Sequence, residues 1–295
     1  VSTWPTIEEP ELLDRLAMGD REFAQYTRAL AAAIPPRGCD ADAVERALGY
    51  PWERPPGSYL LTGAEVELLA DMSAAERRRV IERFASTAGG RSPLLAIGSN
   101  AAPATLERKF AHFEAEDDRA VLALTGRLHD FDVGAAAQPT LYGSMPATLF
   151  PSPGTGVCAT VLWITPDQFT QLTWSEISYR LGRLRTRFEV DDEDAGFGEV
   201  LAFVSRFGAF CVGGAPVAMA AVPASGRTAE ALTQERLLDA AAALAIGSEA
   251  TAETLVRAVF ADMAAITAKV ETTVRRASLP FASERWTPFV PAQAR

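Results

Sequence analysis

The chain has 295 residues, 48% of them apolar, enough to bury the core of one large domain or two modest ones. Its 28 Lys and Arg against 38 Asp and Glu leave a net charge of −10, which argues against nucleic acid and against an anionic membrane as partners, because both need clustered cations. No apolar run is long enough to span a bilayer, and Val1 to Glu9 lacks the basic and apolar regions of a signal peptide; with Cys39, Cys158 and Cys211 read as reduced thiols, a cytoplasmic location is expected.

In chain order, residues 1–90 read as a mostly helical N-terminal extension. Thr6 with Glu9, Thr62 with Glu65 and Ser73 with Glu76 have capping-box spacing. Pro35-Pro36 and the Pro-rich stretch Pro51 to Ser58 break the helical pattern, and the nearby Trp52 and Tyr59 are expected to dock. From residue 91 the pattern changes. Leu94 to Ile97 reads as a buried strand, Gly98-Ser99-Asn100 as a tight turn, and Pro103 as the first position of a helix over 103–113. That geometry aims several main-chain N–H groups at one place and suits a carboxylate or an oxyanion.

Further strands are expected over Val121 to Leu124, Arg127 to Val133, Tyr142 to Phe150, Val157 to Ile164, Leu184 to Val190 and Val200 to Phe207, with a strand pair within Cys211 to Val222. Thr165, Pro166 and Gln168 start a short helix. After Pro223 the chain turns helical at 233–245 and 251–268, with Thr233 and Thr251 as caps, and ends in a Pro-rich tail with Trp286 and Phe289. The fold class expected is α+β: a small mixed barrel over 91–222 between helical extensions at 1–90 and 223–295.

The order of pieces over roughly 93–207 resembles the gamma-glutamylcyclotransferase-like family. The turn Ile97-Gly98-Ser99-Asn100, the strands around Pro146 to Ile164, the helix from Thr165 to Leu172, and then Glu176 and Tyr179 follow that family's turn, middle strands, helix, acid and tyrosine. The resemblance implies a small barrel with packed helices and release of 5-oxoproline, as the amine of a gamma-glutamyl group attacks its own side-chain carbonyl. It places Glu176 as general base, with Ile97, Gly98, Ser99, Asn100 and Tyr179 around the substrate. An α-amine titrates near ~8, so a base must take its proton at neutral pH; Trp174 and Ile177 beside Glu176 are able to desolvate that carboxyl.

The sequence also departs from the family. Ile97 stands where the family has Tyr, Ala101 and Ala102 where a Leu is usual, and Thr173-Trp174 where an Asp-rich signature precedes the acid. Tyr142 and Tyr179 are the candidates for a replacement hydroxyl. Two other readings stay open: a binding or assembly protein that kept the fold, and an amidase that uses water.

Competing chemistry finds little support. His112 and His129 lack a third ligand at useful spacing, so no metal is expected. Ser99 lacks the flanking glycines of a nucleophile elbow, and no phosphate-loop Lys or dinucleotide glycine pattern occurs, so no cofactor is expected. Tyr142-Gly143-Ser144 repeats the turn motif but reads as strand and turn; Arg183, Arg185 and Arg187 alternate as an ion-paired strand face. The partner expected is a small molecule with an amino-acid-like end, and a homodimer is allowed.

Overall fold

The computed structural model describes residues 4, 7–87, 90–191 and 196–291. The N-terminal stretch contains α1 (Pro10–Ala17), α2 (Asp20–Ala33), α3 (Ala41–Leu48), strands β1 (Tyr59–Thr62) and β2 (Glu65–Leu68), and α4 (Ala74–Phe84). Ser73 and Glu76 form the expected reciprocal cap of α4. Thr62 and Glu65 do not start a helix. They face each other across a hairpin whose Gly63 sits at φ 61, a left-handed position that favours glycine. Thr6 lies outside the described residues; Glu9 is the N-cap of α1 and makes no side-chain cap bond.

Five strands then close a barrel. They are β3 (Ser92–Ala96), β4 (Val121–Ala135), β5 (Ala147–Ile164), β6 (Tyr179–Val190) and β7 (Gly196–Ser205). β3 pairs with β5 and, in parallel, with β7; β7 pairs with β6, β6 with β4, and β4 with β5, which completes the ring. The chain is thus α+β, with a closed mixed barrel and packed helices, as its strand and turn pattern led one to expect.

Two pairs of expected segments each form one continuous strand. The segments on either side of Thr125-Gly126 form one continuous β4, and β5 runs unbroken through Pro151-Ser152-Pro153-Gly154. Pro153 does no harm because pairing lapses around it: Phe131 faces Pro151 and His129 faces Gly156, so residues 152–155 bulge opposite Asp130. Gly154 at φ 80 makes the bend, and its N–H donates to Asp130 Oδ1 at 3.0 Å. The expected strand start at Tyr142 is instead a turn, with Gly143 at φ 83.

Between the strands lie α5 (Pro103–Phe110), the short α6 (Glu116–Arg119) and α7 (Pro166–Ser175); after the barrel come α8 (Gln234–Ala245), α9 (Ala252–Ala261) and α10 (Met263–Thr272). Residues 251–268 are therefore two helices, because Asp262 leaves the helical conformation and accepts from the Ala265 N–H to cap α10. The expected strand pair after 211 is a hairpin of Ala209–Val212 with Ala215–Pro216, turned by Gly213 and Gly214.

Barrel side chains alternate between two cores. Leu95, Leu122, Leu124 and Val161 join a cluster that also takes in Ala31 and Val44 from the N-terminal helices and Leu237 and Val259 from the C-terminal ones. Leu94, Val121, Ala123 and Leu162 join a second cluster with Leu106 of α5 and Phe169 of α7. The C-terminal side is also pinned by Arg227, which grips the fully buried Asp132 through two 2.8 Å bonds. No helix among the described residues is long and apolar enough to cross a membrane.

Candidate functional site

The chain leaves β3 at Ala96, turns through Gly98, and makes a single 3-10 turn at Ser99–Ala101 before Pro103 opens α5. No described residue accepts from the main-chain N–H groups of Gly98, Ser99 or Asn100. The turn is held from behind: Arg54 donates to the carbonyls of Ile97 at 2.8 Å and Gly98 at 3.2 Å, and Tyr59 donates to that of Ala101 at 3.0 Å.

Glu176 comes to the turn from α7, whose reciprocal Thr165–Gln168 cap fixes its start. Ser175 is its last residue and Glu176 its C-cap. Asn100 Nδ2 donates to Glu176 Oε1 at 3.0 Å. Lys109, one helix face along α5, donates to Asn100 Oδ1 at 2.6 Å and to Ser175 Oγ at 2.7 Å, with its Nζ 3.7 Å from Glu176 Oε1. Because Lys109 supplies a donor to the amide oxygen, the Asn100 nitrogen is left for the carboxylate. The side chains of Glu176 and Lys109 are 16% and 14% exposed, so the pair is largely withdrawn from solvent. Burial pushes the Lys109 ammonium below its ordinary value, and the charge of Glu176 pulls the other way.

These residues line a cavity of about 270 Å³. Its walls come from all three parts of the chain: Leu30 and Ile34 from the N-terminal side, the turn and Tyr179 from the barrel, and Met263 and Arg275 from the C-terminal side. Arg275 donates to Gln138 Oε1 at 2.7 and 3.1 Å and to Glu271 at 3.1 Å. Burial pushes its guanidinium down to about 10, against the pull of Glu271.

Three tyrosines stand around the carboxylate. Tyr179 donates its hydroxyl hydrogen to the Ala147 carbonyl at 2.8 Å. Tyr50, between α3 and β1, accepts from the Ala147 N–H at 2.9 Å. Tyr142 packs its ring on Trp52, 5.8 Å between centroids. Burial raises all three phenols, Tyr50 to about 12 and Tyr179 well above its usual value, and the Glu176 charge adds to each shift.

The structure therefore brings Ile97, Gly98, Ser99, Asn100, Glu176 and Tyr179 to one cavity. Arg183, Arg185 and Arg187 do not line it; Arg183 lies 3.8 Å from Glu199, and Arg187 pairs with Glu189. The tail docks elsewhere, with Trp286–Pro288 paired to β6. Among the described residues no three His, Cys, Asp or Glu side chains gather, and His129 pairs with Glu189 at 2.7 Å. Sequence reasoning missed Tyr50, Arg54, Lys109 and Arg275. The one clue was to Arg54, which lies in the stretch Pro51 to Ser58 beside the aromatics expected to dock; Tyr50 stands just before that stretch.

No protein-family model and no curated protein matches the chain. Among solved structures it is similar to a gamma-glutamyl cyclotransferase, at 16% identity and a TM-score of 0.30, over 39% of this chain and 66% of that one. A likeness of that degree fixes neither activity nor substrate.

Proposed function

We propose that the protein is an intramolecular acyl-transfer enzyme, one that closes a gamma-glutamyl amide, or a related amide of a small molecule, to 5-oxoproline and releases the amine. The observation that carries this reading is the 3.0 Å contact between Glu176 and Asn100 beside three main-chain N–H groups from which no described residue accepts. A carboxylate and a cup of donors within one cavity supply the two things this reaction needs.

Glu176 takes a proton from the substrate amine as its nitrogen attacks the carbonyl carbon. The new C–N bond forms, and the carbonyl π pair moves onto oxygen. Collapse of that oxyanion breaks the bond to the leaving nitrogen, which receives the proton from Glu176. The N–H groups of Gly98, Ser99 and Asn100 hold the glutamyl unit and the developing negative charge; one donor of this kind is worth about 3 kcal/mol. The apolar walls at Leu30, Ile34 and Met263 keep the substrate folded, and ring closure within one molecule gains much of its rate from that constraint. Arg275 and Lys109 give the cavity the cationic character that an amino-acid-like end requires.

The test is product analysis. Incubation with a panel of gamma-glutamyl amines and amino acids is expected to yield 5-oxoproline, seen as a loss of the amine by mass. Free glutamate would instead make the protein a water-using amidase. Binding of the panel without any product would make it a binding protein.

A further inference from the structure

We propose that Tyr50 is a catalytic residue, whose hydroxyl donates to the oxyanion formed at the reacting carbonyl. The inference rests on the acyl-transfer reading above and adds a residue from outside the barrel to it.

A phenol has one hydrogen and two lone pairs. The Tyr50 oxygen already accepts from the Ala147 N–H at 2.9 Å, so its own hydrogen cannot point there. No described residue accepts that hydrogen, although the residue is only 5% exposed. Tyr179 offers the contrast: on the same peptide residue it spends its hydrogen on the Ala147 carbonyl. Ala147 thus holds one tyrosine as a spent donor and the other as an open one.

The open hydroxyl lies over the turn. A Cβ built on Gly98 would stand 2.4 Å from Tyr50 Oη, so the glycine makes room for the phenol. Tyr50 and the turn residues Gly98, Ser99 and Asn100 line the same cavity as Glu176. Burial raises the phenol to about 12, which keeps the donor protonated throughout the pH range of an amine-driven reaction. Residue 97, the last before the turn, carries an isoleucine and supplies no hydroxyl. The N-terminal extension is then part of the active site and not an appendage, since the barrel alone lacks this donor.

The experiment measures 5-oxoproline release by the full-length protein and by Tyr50→Phe. Loss of one oxyanion donor is expected to lower kcat about 10²–10³-fold with KM changed only a few-fold. Tyr50→Phe also removes the acceptor of a buried N–H, so a second protein carries a fluorinated, more acidic tyrosine at position 50. That side chain keeps the ring and the Ala147 bond, and ionisation alone removes its donor. A new alkaline fall in kcat, absent from the wild type, is expected. Wild-type turnover with an unchanged kcat in Tyr50→Phe, or with no new alkaline fall in the fluorinated protein, would overturn the role of Tyr50 alone. No cyclic product from the wild type would overturn the acyl-transfer reading and this role with it.

Discussion

The side-chain nitrogen of Asn100 donates to Glu176 Oε1 at 3.0 Å, joining the turn after β3 to the end of α7 across 76 residues of chain. Asn100→Ala removes that donor and leaves Lys109 without its 2.6 Å acceptor. A hydrogen bond to a charged group is worth about 1.5–3 kcal/mol, so turnover is expected to fall by roughly one to two orders of magnitude while the fold persists. Asn100→Asp acts differently. It sets a second carboxylate against Glu176, and like charges raise proton affinity, so the acidic limb of the rate profile is expected to move to higher pH. A pH–rate profile of both variants checks the pair.

Gly98→Ala should act through Tyr50. The added methyl would meet Tyr50 Oη at 2.4 Å and the Ala147 side chain at 3.2 Å, and so must displace the phenol from the turn. Activity is expected to drop to about the level of Tyr50→Phe, and combining the two changes is expected to cost less than the sum of their separate effects. A double-mutant cycle on kcat measures this.

The buried phenols predict alkaline lability. Tyr50, raised to about 12, and Tyr59 and Tyr179, raised further by burial, hold their protons in the fold at pH values where the unfolded chain has lost them. The folded state then binds more protons, so their contribution is full below the ordinary phenol value near ~10 and is lost as pH rises above it. Tyr50 alone accounts for about 2–3 kcal/mol of that loss. Denaturant melts between neutral pH and pH values above ~10, followed by tyrosinate absorbance, are expected to show the decline.

Arg227→Met leaves the fully buried Asp132 carboxylate without its partner. Breaking one side of a buried pair costs about 3–5 kcal/mol, and chemical denaturation is expected to report a loss of that size. Replacing both residues with apolar ones of similar volume is expected to recover most of it.

Much of the candidate site was legible because its pieces are local patterns. Gly98-Ser99-Asn100 after an apolar run, and Glu176 after a capped helix, each declare themselves within ten or so residues. The continuous β5 was hidden by its prolines, since a bulge that needs no ladder N–H looks like a break. The β1–β2 hairpin was hidden by a Thr and a Glu three apart, the same spacing as a helix cap, although Gly63 between them marked the turn. Tyr50 and Arg275 could not be read at all, and Arg54 showed only as part of a Pro-rich stretch with docking aromatics. Tyr50 and Arg275 reach the cavity wall, and Arg54 reaches the carbonyls of Ile97 and Gly98, through tertiary packing of the extensions, and no short-range pattern encodes those contacts.

The central claim is that the Glu176 carboxylate moves the proton. The most direct measurement is the rate of 5-oxoproline release by Glu176→Gln beside the wild type, on the same gamma-glutamyl amine, with circular dichroism confirming that both are folded. The amide keeps the shape and cannot act as a base, so a fall of about 10²–10⁴-fold is predicted. Release by the folded variant at the wild-type rate would contradict the account.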